Sequence, residues 1–384
     1  MMRPGVGVKP KERVVIYSDL PYNFVGPNEY ILGISIGVVT TTNYAKITWW
    51  DNTTEIINCL LPTQTAGGTV KKGMAYKVPS ISYSNIKKII AESCDSTGKI
   101  TGNITMFTCD KRKSRLTNFG EFQYNQQVYL LDISTCQQLK VLKCDRNKLT
   151  SLGDIKACKN IATIACSGNC FASLDVSKLS TLEQFFCNHN FNLKNLTIGS
   201  NLKRLGASSC GFTGISFPSG SQLYELYLKN SALTAVTLDN MTNLVRASVG
   251  CQYNNPYETN PKSLTTISGN TLTNLVQFNA GTNNYCGQVN PNNISSIRFQ
   301  GSGTGGDPAF GLTVGNKYVV AYDRAFNLNG CSLTSGALNT FYSDLKNITG
   351  GYPIQIKIEG ITGFAGSTPS IATSKNYTMG FTCP

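Results

Sequence analysis

The sequence predicts a mainly β chain: an N-terminal β-sandwich, then a repeat solenoid with a parallel sheet on its concave face, closed by a helix–strand cap. Three observations predict it. Short alternating apolar segments, punctuated by Gly, Pro and Asn, fill residues 14–108. From Leu139 onward one apolar pattern returns every 19 to 22 residues, with a single 31-residue interval. Charged residues make up only 14% of the 384 residues while apolar residues make up 41%. That balance supplies a continuous core and many turns but few long exposed helices.

The elements follow in order. Residues 1–13 form a basic arm, with neither an apolar h-region nor a small-residue cleavage site, so no secretory signal is expected. The segments VVIYSDL, EYILGISIGVV, AKITWWDNTTEII, AYKVPSISYS, KKIIAES and KITGNITMFT argue a sandwich of about seven strands over 14–108, with a short helix at SNIKKII as the competing local reading. KITWWDNTTE (46–55) resembles the WGDGTTE strand–turn of polycystic-kidney-disease-type immunoglobulin-like domains. Trp50 and Asn52 stand where that motif has glycines. The resemblance implies an immunoglobulin-like anchoring module. Residues 109–130 are polar and basic, and are expected to link the module to the repeats and cap their first turn.

The repeats occupy 131–300. They read LKVLKCDRNKL (139–149), IATIACSGNCF (161–171), LEQFFCNHNFN (182–192), LKRLGASSCGF (202–212), LYELYLKNSAL (223–233), LVRASVGCQYN (244–254), LVQFNAGTNNY (275–285) and, weakly, ISSIRFQGSGT (294–304). A period of roughly 20–29 residues is that of leucine-rich repeats. Positions 1, 4 and 6 of each unit are expected to point inward and positions 3 and 5 outward, because side chains alternate along a strand. Cys144, Cys166 and Cys187 then fall at inward position 6, where a thiol behaves as a small hydrophobe. Position 9 holds Asn147, Asn169, Asn190 and Asn283, placed to bond the turn backbone. With LDIS (131–134) and LDVSKLSTLEQFFCNHN (174–190), these units resemble repeats of leucine-rich-repeat proteins from gut bacterial surfaces and from virions of their phages. Residues 301–384 are expected to complete the array. A helix is predicted on Ala337, Leu338, Phe341, Leu345 and Ile348, then a strand at IQIKIEG and a closing segment PSIATSKNYTM. The Gly-rich GSGTGG lacks the Lys-Ser/Thr of a phosphate loop and reads as a turn.

Chemistry is poorly represented. The one histidine, His189, has no marked nucleophile or carboxylate partner. Glu183 and Glu225 occupy different strand positions, and Cys-x2-Cys spacing is absent. We therefore expect no enzymatic activity, no cofactor and no metal. The outward row is the candidate binding surface: Lys143, Phe186, Arg204, Tyr227 and Arg246 mix aromatic and cationic groups, as binding faces often do. Tyr253 and Tyr257, in an insertion within one repeat, are further candidates. The net charge of +13 favours acidic partners.

Together with the resemblance, these features imply a non-enzymatic bacteriophage virion protein: a head fibre, a decoration protein or a tail-associated adsorption protein. It would be made in the host cytoplasm, where thiols stay reduced. Its expected partners are other virion proteins, among them an acidic capsid or tail surface, or a host surface glycan or protein. Membrane insertion and nucleic-acid binding are not expected, and a homo-oligomer is left open. The alternatives are a bacterial cell-surface adhesin and a polysaccharide-degrading tailspike.

Overall fold

The structure is a computed structural model. It describes residues 13–18, 32–38, 44–49, 51–59, 61–65, 68–77, 87–100, 104–108, 128–137, 139–250, 263–270, 272, 274–281, 293–299, 313–314, 317–318, 325–345, 347–348 and 353–380. Tyr253, Tyr257, Asn283 and the GSGTGG segment lie outside these residues. The chain divides into two units, Met1–Phe171 with Lys178–Phe185, and Ala172–Ser177 with Phe186–Pro384.

The first unit opens with eight strands: β1 (Arg13–Ser18), β2 (Leu32–Val38), β3 (Tyr44–Thr48), β4 (Thr54–Asn58), β5 (Leu61–Thr65), β6 (Gly68–Lys77), β7 (Lys87–Cys94) and β8 (Ile104–Thr108). Strand β9 (Val128–Asp132) follows. One antiparallel sheet runs β4-β3-β7-β1-β9. Its period-2 pattern buries Ala45, Ile47 and Trp49, while Tyr44, Lys46 and Thr48 stay half-exposed. The first three residues of SNIKKII lie outside the described residues, and the rest is strand. Its last four residues open β7, where Ile89 and Ile90 lie opposite Ile16 and Val15, and the β-branched run favours a strand. The β3–β4 turn puts Asn52 at φ 63°, the left-handed conformation that Asn tolerates better than most residues. The Asp51 carboxylate accepts bonds from the Thr53 amide at 3.1 Å and its hydroxyl at 2.6 Å.

The second sheet of this unit runs β5-β6-β2-β8 and then continues through β10 (Val141–Lys143) and β11 (Thr163–Ala165). β8 is antiparallel to β2 but parallel to β10, so the N-terminal strands and the first repeats share one hydrogen-bonded sheet. β10 and β11 pair in register, Val141 with Thr163 and Lys143 with Ala165, 22 residues apart.

The second unit holds β12 (Ser173–Asp175), then β13 (Gln184–Phe186), in which the chain passes from one unit to the other. It continues with β14 (Asn195–Thr197), β15 (Arg204–Gly206), β16 (Glu225–Tyr227), β17 (Ala235–Thr237), β18 (Arg246–Ser248), β19 (Thr266–Ser268), β20 (Gln277–Asn279) and β21 (Ser296–Arg298). A small hairpin, β22 (Thr313–Val314) and β23 (Lys317–Tyr318), precedes β24 (Ala325–Asn327). The end is α1 (Ser335–Asp344), β25 (Ile354–Lys357), α2 (Ser370–Thr373) and β26 (Tyr377–Gly380). Strands β15-β16-β18-β20-β24-β25-β26 form one ladder, parallel throughout. A second set of short parallel ladders, β12-β14 and β17-β19-β21, is built from the later apolar clusters of the repeats.

This assignment corrects one reading of the sequence. ISSIRFQ is not a further rung of the main ladder. β21 pairs with β19 in the second ladder, and the main ladder passes from β20 to β24. Ile294, Ile297 and Phe299 are all buried, so an apolar 1-4-6 pattern serves either ladder equally and cannot choose between them. The predicted cap helix is present, with the Thr334 hydroxyl accepting from the Ala337 amide at its start.

The columns behave as side-chain volume and polarity require. Leu139, Leu142, Cys144, Ile161, Ile164 and Cys166 are completely buried in the first unit, as are Phe185 there and Cys187, Leu205, Ala207, Leu223 and Leu226 in the second. Each large apolar side chain so buried stabilises by ~1.5–3 kcal/mol. The position-9 amides do what was expected. Asn147 donates to Cys144 O at 3.0 Å, Asn169 to Cys144 O and Cys166 O at 3.0 Å, and Asn190 to Cys187 O at 2.8 Å. Later units keep the function with other donors: Cys210 Sγ reaches Cys187 O at 3.3 Å and Ser231 Oγ reaches Ala207 O at 3.2 Å. The Asp-x-Ser of LDIS and LDVS is also explained. Asp132 and Asp175 each accept from a serine amide and hydroxyl two residues on, closing the turn. Towards the C-terminus aromatic rings replace Leu and Cys. Phe278, Phe299, Phe326 and Phe341 pack edge-on or tilted, the nearest pair 4.9 Å between centroids.

Candidate binding face

The outward positions of the main ladder align because the strands are parallel and in register. Arg204, Glu225, Arg246 and Gln277 are successive partners at position 3. Gly206, Tyr227, Ser248 and Asn279 are successive partners at position 5. Rungs of a sheet stand about 4.8 Å apart, so any long side chain here reaches its neighbour.

They do reach. Arg204 Nε donates to Glu225 Oε2 at 2.6 Å, and the Arg204 guanidinium lies 5.8 Å from the Phe186 ring centre. Burial works against the Arg204 charge, yet the attraction and hydrogen bond of the Glu225 carboxylate outweigh it and hold the guanidinium above its ordinary pKa. Arg246 Nη1 donates to the Tyr227 hydroxyl at 2.8 Å and its Nε donates to the Gln277 amide oxygen. Lys229, two residues past Tyr227, is half-buried. Burial first, and the like charge of Arg246 second, push its pKa down. A side chain at Gly206 would place its Cβ 2.8 Å from Phe186 Cδ1, so the absence of one lets Phe186 lean over that rung.

Four of the proposed residues thus lie on one face of the second unit, in two linked pairs: Phe186 with Arg204, and Tyr227 with Arg246. Lys143 is exposed on the β10 rung of the first unit. Several outward positions are not open to solvent. Val141, Thr163, Glu225 and Ser248 are buried, because alternation sets direction while long side chains on adjacent rungs cover the shorter ones. Sequence reasoning missed Lys229 and Gln277. The repeat period already placed Gln277 at position 3 beside Arg246, and that was its signal.

His189 has a different job from the one its chemistry suggests. It sits at position 8, at φ 56°. Arg146, Gly168, Ser209, Asn230 and Gly330 have φ between 54° and 71° at the equivalent turn. The imidazole belongs to the same left-handed turn as those five residues. Among the described residues no three His, Cys, Asp or Glu side chains gather as metal ligands, and no helix is long and apolar enough to cross a membrane. Of the described cysteines nine are buried thiols and Cys170 is half-buried.

The repeats resemble leucine-rich repeats. The period, the inward Leu/Cys columns, the Asn ladder and the in-register parallel strands occur together. No family model and no curated protein matches the chain. Among solved structures the chain is similar to the functional domain of InlJ from Listeria monocytogenes, which includes a cysteine ladder. Identity is 21% over 37% of this chain and 38% of that one, with TM-score 0.24. It is similar to the internalin inlF of Listeria monocytogenes str. 4b F2365, at 15% identity over 66% of this chain and 83% of that one, TM-score 0.21. It is also similar to the leucine-rich-repeat ectodomain of the Arabidopsis thaliana receptor kinase GASSHO1/SCHENGEN3, at 15% identity over 58% and 40% of the two chains, TM-score 0.16. At such TM-scores the likenesses carry no argument about function, and the repeat reading rests on the ladders themselves.

Proposed function

We propose that this leucine-rich-repeat chain is a non-enzymatic binding protein that works as a structural component of a bacteriophage particle, in a head fibre, a decoration or a tail-associated adsorption role. The observation that carries the binding role is the continuous row Phe186, Arg204, Tyr227 and Arg246 on one face of a rigid parallel ladder. Aromatic and arginine side chains held in place lose little entropy on contact with a partner. The N-terminal strands act as an immunoglobulin-like module that anchors the chain to the particle. Buried thiols in successive repeats support synthesis in a reducing cytoplasm.

Two measurements test this reading. Mass spectrometry of density-purified particles should recover the chain at fixed stoichiometry. Recovery from the bacterial envelope instead, with none in particles, makes it a cell-surface adhesin. Incubation with host capsule should release no reducing ends, and release abolished by one carboxylate substitution would make it a tailspike hydrolase.

A further inference from the structure

Asn329 and Gly330 form the one Asn-Gly pair in the sequence. A backbone nitrogen can attack the carboxamide carbon of the asparagine before it, and glycine, with no Cβ, leaves that approach least hindered. The pair lies just past β24, at positions 7 and 8 of its rung, and Gly330 takes the left-handed turn at φ 71°. Asn329 is only 4% exposed. Gly330 N–H donates to Glu359 O at 2.8 Å, and Asn329 Oδ1 accepts from Glu359 N–H at 2.9 Å. Both reacting groups are therefore held by the backbone of one residue on the next rung, just past β25. The same acceptor duty falls to Asp145, which receives Ser167 N–H at 2.7 Å, and to Asn188, which receives Ser208 N–H at 2.9 Å. A carboxylate thus serves this position as a carboxamide does.

We propose that Asn329-Gly330 is a self-modifying site, held shut by the Glu359 backbone and released when β25 leaves β24. In the open rung the Gly330 nitrogen bonds to Asn329 Cγ. The Cγ–Nδ2 bond breaks, and the proton lost by the Gly330 nitrogen leaves with Nδ2 as ammonia. Water then opens the cyclic imide at either carbonyl. Attack at Cγ gives aspartate, while attack at the backbone carbonyl of residue 329 gives isoaspartate, in which the main chain runs through Cβ and Cγ. Nothing is oxidised or reduced, and water is the only co-reactant. The aspartate product can close the rung again, because Asp145 already accepts from the next rung in the same way. The isoaspartate product cannot. It inserts a methylene into the main chain at the turn and strands a carboxylate where the native side chain is 4% exposed. The reaction thereby turns a reversible opening of the C-terminal rungs into a permanent one.

The test incubates the full chain in mildly alkaline buffer, with and without unfolding urea. Peptide mapping by mass spectrometry follows conversion at residue 329 and separates aspartate from isoaspartate. Conversion should run at least about tenfold faster in urea, because a reaction confined to the open form tracks its population. Without urea, Ile356→Val on β25 should speed conversion roughly fivefold, the scale of one buried methyl group lost from the closed rung. Ile164→Val, the same change at an equally buried position on β11, should leave the rate as it is. After urea is removed, chains carrying isoaspartate should not regain hydrogen-exchange protection of the β24 and β25 amides, whereas Asn329→Asp chains should. Equal rates with and without urea overturn the proposal, and so does equal acceleration by the two valine variants. Isoaspartate chains that regain full protection overturn it too. Should Ile356→Val fail to fold, the urea comparison on the parent chain still decides.

Discussion

Arg204 and Glu225 show how a single side chain changes meaning once its neighbour is known. Each is a charged residue on an outward position, 21 residues apart in sequence and 2.6 Å apart in space. Glu225 is 1% exposed. Arg204→Ala takes the guanidinium away from a buried carboxylate and should destabilise the second unit by roughly 3 kcal/mol. Glu225→Gln keeps the shape and a hydrogen-bond acceptor, and should cost only about 1 kcal/mol. Urea titrations of the two variants check the order, and equal losses would mean the pair is not the cause. Lys229 behaves in the opposite sense. Its folded pKa lies below its unfolded value, so the native state releases the proton first as pH rises. Stability from this group therefore climbs between the depressed pKa and about pH 10.4. Lys229→Met should be more stable than the parent at pH 7, with the difference shrinking as pH approaches that upper value. Thermal melts at several pH values decide this, and a constant difference would refute it.

At the scale of the element, the recurring turn explains residue choices that looked functional. Position 8 takes the left-handed conformation at Arg146, Gly168, His189, Ser209, Asn230 and Gly330, so Arg, Gly, His, Ser and Asn all occur there. Glycine adopts that conformation without a Cβ penalty. His189→Gly should therefore stabilise by about 0.5 kcal/mol, and Gly168→Ala should destabilise by about 1 kcal/mol although its Cβ would meet nothing nearer than 3.4 Å. Denaturant midpoints of both variants test the pair together. The position-6 thiols and position-9 amides were legible in the sequence because each column repeats one chemical demand, a small buried group or a turn-bonding donor. The ladder to which Ile297 belongs was not legible, since both ladders ask for alternating apolar residues. The rung at Phe326 escaped notice because a long interval from Leu275 broke the period that marked the earlier units. The C-terminal helix shows a further device absent from the pattern. Lys375 Nζ donates to the carbonyls of Tyr342, Ser343 and Leu345, closing the end of α1 with a side chain that lies 30 residues or more further along the chain.

Over the whole molecule, the outward row was half visible. Its aromatic and basic composition could be read from one repeat at a time, but its pairings needed register across repeats, and Lys229 at position 7 belonged to no expected column. In each unit the repeats contact their sequence neighbours through backbone rungs such as β10 with β11 and β16 with β18, so opening can spread rung by rung. The shut-in sulfurs turn that into something countable. A maleimide reagent cannot touch Cys144, Cys166, Cys187 or Cys210 until the rung that covers it comes apart, whereas half-buried Cys170 is within its grasp. Peptide mapping of a labelling time course should find Cys170 modified well before these four, each of which then times the opening of its own rung. Equal labelling of all five from the outset would mean the rungs do not seal. The chain thus carries, spaced one per turn, its own set of stopwatches for unravelling.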